Sequence, residues 1–167
     1  MKVRIMGRAE MIEQARVGFS PRTAVISITD TDKTAVEFTH QPAKLLQLKF
    51  DDVSEEIYEE ILGRKPSVRE MKKLSEKFHM VSDEQAKSIA EFILPVYEEM
   101  DTLICQCEYG QSRSAGVAAA VLEYFTRSGI TIFAAHNYYP NKLVFKKVLH
   151  QLNRYGCRKK EPRNRTP

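Results

Sequence analysis

Residues 107–113 have the side chains and the order needed to bind and attack a phosphate group: Cys107, Glu108, Tyr109, Gly110, Gln111, Ser112 and Arg113. The apolar run Thr102–Gln106 before them predicts a buried strand, and the alanine-rich segment after them predicts a helix. Between a strand and a helix N-terminus, backbone N–H groups converge and the helix dipole favours an anion. Gly110 would permit the tight backbone turn, and the planar guanidinium of Arg113 can hold two anion oxygens. The segment therefore predicts a phosphate-binding loop.

Cys107 begins this loop, so its sulfur would lie beneath the bound anion. The donors that bind the anion also favour a thiolate, which makes Cys107 the candidate nucleophile. The spacing alone is a weak indication, because Cys157 also has an arginine, Arg163, six residues later. That second pair contains Pro162 and no glycine, and it lies in a charged segment. Only the pair that begins at Cys107 has strand, glycine, arginine and helix in order.

The segment from Cys107 to Ser114 resembles the active-site motif of protein tyrosine phosphatases, particularly their compact dual-specificity branch, and the likeness is most specific over residues 104–120. The resemblance implies that Cys107 attacks phosphorus and forms a phosphocysteine, while Arg113 binds the phosphate and its transition state. It also implies that Ser114 helps the thiolate to leave in the second step. An aspartate on a neighbouring loop would protonate the leaving group.

Asp51 and Asp52 are the candidates for that acid, since they follow the predicted strand Leu46–Phe50. Apolar residues at every second position indicate that one face of this strand is buried. If the alternation continues, Asp52 lies on the inward side with Phe50 and Asp51 lies on the outward side. Asp52 is therefore the preferred general acid and Asp51 the alternative. Capping of the following helix is a further role open to Asp52.

Three residues around Cys107 bear on its reactivity. Gln106 occupies the position where the resembled family usually has His, and glutamine can hydrogen-bond to the backbone but cannot become cationic. Glu108 adds a negative charge to the loop unless its side chain points to solvent. Cys105 is expected to be a core residue, with a redox partnership with Cys107 as the alternative.

Predicted strands alternate with predicted helices along the chain. The strands fall at residues 3–5, 23–29, 46–50 and 102–106, and the helices outside the central segment at 9–17, 115–125 and 142–154. This order indicates an α/β domain with a mainly parallel central sheet flanked by helices. The phosphate-binding loop would join a buried strand to a helix, as in the resembled family.

The central segment 54–100 has a helical pattern throughout. Its first predicted helix would end at Gly63, and one face of it comprises Ile57, Ile61 and Leu62. Capping boxes over residues 67–70 and 82–85 predict two further helix starts. Residues 64–81 look like an insertion relative to the most compact members of the resembled family. An extra solvated helix is the preferred interpretation of this insertion, and a lid is the alternative.

The segment after the phosphate-binding loop is less regular. Gly129 is expected to end the helix 115–125, and residues 130–140 have no period, which predicts irregular structure. Asn141 fits an N-cap of the last helix and implies no catalytic role. The two residues Tyr138 and Tyr139 are expected to pack in the interior, with lining of the site as the alternative.

Composition limits the class of protein. The chain has 167 residues, of which 43% are hydrophobic and 29% charged, as expected of one globular domain. No apolar run reaches the length of a membrane span, and the N-terminus lacks the pattern of a secretory signal, so a cytoplasmic location is expected. The three cysteines and four scattered histidines predict neither a disulfide framework nor a metal site, and we expect no cofactor.

The net charge of +4 is concentrated at the C-terminus. Residues 158–167 contain five basic side chains and one acidic side chain, so residues 1–157, the predicted domain, are balanced. We expect the tail to be disordered and solvated. Nucleic acid binding by this tail is the less supported alternative.

Together these observations predict a phosphomonoester hydrolase that acts on phosphotyrosine or phosphoserine and phosphothreonine in proteins. An RNA or nucleotide phosphatase of the same chemistry is an alternative suggested only by the basic tail. A catalytically inactive phosphate-binding module is a second alternative, suggested by Gln106 and by the choice of acid left open between Asp51 and Asp52.

Overall fold

The computed structural model describes residues 1–54, 59 and 62–156, without the side chains of residues 74–76. The strands are β1 (Lys2–Met6), β2 (Thr23–Thr29), β3 (Lys44–Lys49) and β4 (Thr102–Gln106). The helices of the described part are α1 (Arg8–Val17), α2 (Val68–Lys77), α3 (Asp83–Glu99), α4 (Arg113–Thr126), α5 (Ile130–Ala134) and α6 (Lys142–Gly156). The predicted helical face with Ile57 and Ile61 lies outside the described residues, as does the tail 158–167.

All the strand pairs are parallel, and the strand order is β1-β4-β2-β3. In the register of the sheet, Ile104 of β4 lies between Arg4 of β1 and Val25 of β2. Because the strands run in one direction, their carboxyl ends meet at one edge. The predicted α/β class with a mainly parallel sheet is confirmed.

The core lies between the sheet and the helices α3, α4 and α6. Each residue of β2 is buried, as expected of a central parallel strand. Helix α4 supplies small side chains, and Ala118, Ala119 and Ala120 are all fully buried. These alanines allow the helix to pack closely, and α4 begins directly at the end of the loop 107–113.

Local chemistry sets several helix and strand ends where the sequence predicts them. The bounds of β2 and β4 coincide with the predicted bounds. The hydroxyl of Ser82 accepts a hydrogen bond from Gln85 N at 3.1 Å, and Gln85 Oε1 accepts one from Ser82 N at 2.9 Å. Ser67 and Glu70 form the same reciprocal pair before α2. Both predicted capping boxes are confirmed. The extra helix predicted within residues 64–81 is α2.

Two predictions about the segment after α4 are wrong. Helix α4 ends at Thr126 with the left-handed residue Arg127 (φ 56°) as its C-cap, and not at Gly129. Residues 130–134 form the short helix α5 rather than irregular structure. A five-residue helix is too short to show a hydrophobic period, so the pattern could not reveal it.

Close packing is the reason for glycine at position 129. A Cβ atom there would lie 2.5 Å from the carbonyl oxygen of Ala119, a backbone atom with no freedom to move aside. The N–H of Gly129 donates to the carboxylate of Glu123 at 3.1 Å. Gly129 therefore holds the start of α5 against α4.

No helix in the part of the chain that the structure describes is long and apolar enough to span a bilayer.

Replacing Gly129 with alanine should lower the free energy of unfolding by about 1–3 kcal/mol, because the added methyl group forces the two helices apart. Urea unfolding followed by circular dichroism measures this change. Gly63→Asn is the control, since nothing lies within 4 Å of a Cβ atom there and asparagine tolerates its φ of 64°. Equal unfolding midpoints for Gly129→Ala and the wild type would contradict this account of α5.

Candidate active site

The predicted phosphate-binding loop, residues 107–113, joins β4 to α4 at the carboxyl edge of the sheet. Gly110 has a φ of 68°, and a Cβ atom on it would lie 2.5 Å from the nitrogen of Gly7. The loop therefore requires glycine both for its turn and for its close approach to the end of β1. Hydrogen bonds fix the same contact, from Cys107 N to Met6 O at 3.3 Å and from Arg8 N to Glu108 O at 2.9 Å.

Cys107 lies at the base of the loop and is only 1% exposed. Its sulfur is 3.0 Å from the hydroxyl oxygen of Ser114, which is fully buried in the first turn of α4. The hydroxyl is placed to donate a hydrogen bond to a thiolate at Cys107. The structure thus brings together the predicted nucleophile and the residue predicted to assist its departure.

Gln106 is fully buried directly before the nucleophile and has partners at both ends of its amide. Its Oε1 atom accepts a hydrogen bond from the hydroxyl of Ser27 at 2.6 Å, and its Nε2 atom donates to the carbonyl of Cys107 at 2.7 Å. The glutamine therefore orients the start of the loop through neutral hydrogen bonds to β2 and to Cys107.

Cys105 belongs to the hydrophobic core, as predicted. Burial, and secondly the neighbouring charge at Cys107, raise the pKa of the Cys105 thiol well above its ordinary value. At neutral pH this thiol is protonated, which disfavours the alternative of a redox partner because the thiolate is the reactive form.

The side chain of Arg113 is 2% exposed, and the partners of its guanidinium group lie at Nη1. Its Nη1 atom donates to the carbonyl of Phe50 at 2.7 Å and lies 2.6 Å from Oδ1 of Asp30. Its Nε atom is buried and has no hydrogen-bond partner, the nearest carboxylate oxygen being that of Asp52 at 3.9 Å. A buried charged donor without a partner is costly, so this side of the guanidinium is suited to an anion.

Asp52 lies against the phosphate-binding loop. Its Oδ1 atom accepts hydrogen bonds from the hydroxyl of Ser112 at 2.7 Å and from the amide of Asn141 at 3.0 Å. Together with the Arg113 contact, these bonds place one carboxylate beside both the loop and the start of α6.

Asp51 has a separate set of partners. It accepts hydrogen bonds from the backbone N–H and hydroxyl of Thr31 at 3.0 and 2.8 Å, and from the N–H of His79 at 3.1 Å. Burial acts to raise the pKa of Asp51, but the hydrogen bonds from Thr31 and His79 outweigh it and hold the pKa below its usual value. The carboxylate of Asp51 thus joins two connecting segments, whereas that of Asp52 contacts the loop 107–113.

Comparison with known proteins finds similarity in structure. No family model matches the sequence, and no curated protein matches it. The crystal structure of PTPMT1 in complex with PI(5)P superposes with a TM-score of 0.54 at 13% identity, over 95% of this chain and 94% of that one. Tk-PTP in its active form gives a TM-score of 0.49 at 19% identity, over 93% of each chain. The human tyrosine phosphatase-like serine/threonine/tyrosine-interacting protein gives 0.46 at 16% identity, over 92% of this chain and 86% of that one.

The chain has the protein tyrosine phosphatase-like fold. Within this phosphatase fold, the loop 107–113 lies between the central strand β4 and helix α4.

Asn141 has a second set of contacts that the sequence does not indicate. Its Oδ1 atom accepts a hydrogen bond from the N–H of Val144 at 3.1 Å, which confirms the predicted N-cap of α6. Its Nδ2 atom also donates to Asp52, and its backbone N–H donates to the carbonyl of Ser112 at 3.1 Å. Asn141 therefore ties the start of α6 to both the loop and the candidate acid.

Asp30 and Lys33 also lie beside the loop 107–113, and the sequence analysis identified neither of them as a candidate. The Nζ atom of Lys33 lies 3.0 Å from Asp30 Oδ2 and 3.0 Å from Glu108 Oε1. The position of Asp30 directly after β2 could have identified it as a site residue, because the carboxyl ends of parallel strands lie at one edge of the sheet.

A cavity of about 390 Å³ lies beside Asp52 and Ser112. Its wall includes the aromatic residues Phe133, Tyr138 and Tyr139. Tyr139 is 72% exposed, so the prediction that it packs in the interior is wrong. The hydrogen bond from its backbone N–H to the carbonyl of Gln111, at 2.9 Å, holds this segment on the phosphate-binding loop. The cavity offers an apolar surface next to the loop.

Of the other loop side chains, that of Glu108 turns to Lys33, and that of Tyr109 is exposed. Within the described residues, no group of three or more histidine, cysteine, aspartate or glutamate side chains is arranged to hold a metal ion.

Nη1 of Arg113 has partners in Asp30 and Phe50, whereas its Nε atom has none. This arrangement predicts an anion site beside Nε. Inorganic phosphate should bind the wild-type protein, and Arg113→Lys should bind it about ten- to a hundredfold more weakly, because lysine cannot donate two parallel hydrogen bonds. Isothermal titration calorimetry measures both affinities. Arg64→Lys, which changes an exposed arginine paired with Glu70, is the control and should bind phosphate like the wild type. Undiminished binding by Arg113→Lys would contradict the assignment.

Proposed function

We propose that this protein is a phosphomonoester hydrolase that acts through a phosphocysteine on Cys107. The observation that carries this proposal is the pairing of a buried thiol with a buried guanidinium in one loop. Nη1 of Arg113 is occupied by Asp30 and Phe50, while its Nε atom has no hydrogen-bond partner. A tetrahedral dianion bound to that free side would lie in the loop that begins at Cys107.

In the first step, the thiolate of Cys107 attacks phosphorus and forms a sulfur–phosphorus bond while the bond to the leaving oxygen breaks. Arg113 and the backbone N–H groups of the loop stabilise the charge on the transferring phosphoryl group. Asp52 donates a proton to the leaving oxygen. The hydrogen bonds from Ser112 and Asn141 to Asp52 Oδ1 support this role, because they fix the carboxyl group beside the loop and leave Oδ2 without a hydrogen bond from either residue.

In the second step, water attacks the phosphorus of the phosphocysteine and the sulfur–phosphorus bond breaks. The carboxylate of Asp52 accepts a proton from that water, since the group that acted as acid in the first step now acts as base. The hydroxyl of Ser114, 3.0 Å from Cys107 Sγ, donates a hydrogen bond to the departing thiolate. The products are inorganic phosphate and the original thiolate.

A phosphotyrosine residue of a protein is the substrate that this site suits best, with phosphoserine and phosphothreonine as further substrates. The supporting feature is the cavity next to Asp52, whose wall includes Phe133, Tyr138 and Tyr139. An aromatic leaving group held by the loop would lie close to this wall, where ring contacts favour it.

Replacing the proposed nucleophile should abolish turnover. Cys107→Ser should lower the rate of p-nitrophenyl phosphate hydrolysis by about 10³-fold or more, because a neutral hydroxyl cannot replace a thiolate. Release of p-nitrophenol measures the rate. Cys105→Ser is the matched control, because it changes the core cysteine of β4 two residues before the loop and should leave kcat within about threefold. Equal rates in Cys107→Ser and the wild type would exclude the proposed chemistry, and an inactive wild type that still binds phosphate would favour a binding module.

The assignment of the acid predicts a dependence on the leaving group. Asp52→Asn should lower kcat by about 10²–10⁴-fold for phenyl phosphate and less for p-nitrophenyl phosphate, whose leaving group needs a proton less. Asp51→Asn should affect both substrates equally and by less than about tenfold, since Asp51 contacts Thr31 and His79 and not the loop. Steady-state kinetics with the two substrates test this. A larger and leaving-group-dependent loss in Asp51→Asn would assign the acid to Asp51.

A further inference from the structure

Lys33 forms two ion pairs at the edge of the phosphate-binding loop. Its Nζ atom lies 3.0 Å from Oδ2 of Asp30, which follows β2, and 3.0 Å from Oε1 of Glu108, which follows the nucleophile. The backbone N–H of Lys33 also donates to the carbonyl of Asp30 at 3.1 Å, which fixes the turn that carries the side chain. The hydrogen bonds to Asp30 and Glu108 raise the pKa of Lys33, so the ammonium group is charged throughout the neutral range.

Asp30 connects this lysine to the phosphate-binding arginine. One carboxylate oxygen of Asp30 faces Lys33 and the other lies 2.6 Å from Nη1 of Arg113. The contacts thus run from Glu108 through Lys33 and Asp30 to Arg113. We call these four residues the Lys33 network. It links the residue after the nucleophile to the last residue of the loop.

Glu108 is the member that could disturb phosphate binding. Its side chain is 18% exposed, and its Oε2 atom is buried without a hydrogen-bond partner. Among the residues that the structure describes, Lys33 is the cation paired with it. A carboxylate in a loop that binds a dianion lowers the affinity unless a cation balances its charge.

We propose that Lys33 is a positioning residue of the phosphate-binding loop, which holds the Glu108 carboxylate away from the bound phosphate and keeps Asp30 on Arg113. The inference rests on the proposed function, since it takes a phosphate group as the ligand of the loop. Neutralisation of the Glu108 carboxylate by Lys33 explains how the loop accommodates an acidic residue directly after Cys107. Lys33 acts through Glu108 and Asp30, without contact to the reacting atoms.

Binding of inorganic phosphate by the Cys107→Ser protein tests the proposal without turnover. In this background, Lys33→Met should weaken phosphate binding about tenfold, because Glu108 loses the charge that balances it. Adding Glu108→Gln to Lys33→Met should restore most of that loss, since the amide has the same shape and no charge. Isothermal titration calorimetry gives the affinities, and Lys33→Arg should retain binding because it keeps the cation.

Lys87→Met is the matched control, since Lys87 is an exposed lysine of α3 paired with Glu91. This variant should bind phosphate like the parent protein. The recovery in the double variant separates a charge effect from damage to the fold, and thermal unfolding midpoints check the latter directly. Undiminished binding by Lys33→Met would overturn the proposal. An equal loss with and without Glu108→Gln would overturn it too, because the loss would then not pass through Glu108. A wild type without turnover would reject the proposed hydrolysis while leaving this binding result intact.

Discussion

Burial of the Arg113 guanidinium is the constraint on which the site depends. A buried positive charge is costly unless carboxylates and carbonyls surround it, and here the partners come from the segments after β2 and β3. Asp30 and the carbonyl of Phe50 occupy Nη1 and so fix the plane of the group. What they leave open is the Nε side, near Asp52. The geometry that stabilises the arginine therefore also directs it towards a ligand.

The parallel sheet is what brings those partners together. With the order β1-β4-β2-β3, the strand that leads into the loop has β1 on one side and β2 on the other. The end of β1 supports the turn at Gly110, and the end of β2 supplies Asp30. Helix α6 then closes the third side through Asn141. Each contact joins segments far apart in sequence, so the loop is rigid only in the folded domain.

This distance in sequence decides what could be predicted. The strand, loop and helix were predictable because strand, glycine, arginine and helix are consecutive, and the position of Asp52 beside the loop followed from the alternation of β3. The capping boxes were predictable because each lies within four consecutive residues. The hydrogen bond from Asn141 to Asp52 could not be predicted, because 89 positions separate the two residues in the sequence. The ion pair of Lys33 with Glu108 could not be predicted either, because the two residues lie in different connecting segments and no sequence pattern relates them.

The most direct test of the central claim is to trap the covalent intermediate. The wild-type protein is mixed with p-nitrophenyl phosphate, quenched in acid within the first turnovers, digested and analysed by mass spectrometry. The account predicts one phosphoryl group on the peptide that contains Cys107, bonded to sulfur and absent when substrate is omitted. Turnover at the same rate with that peptide unmodified, or with the phosphoryl group on another residue, would contradict it.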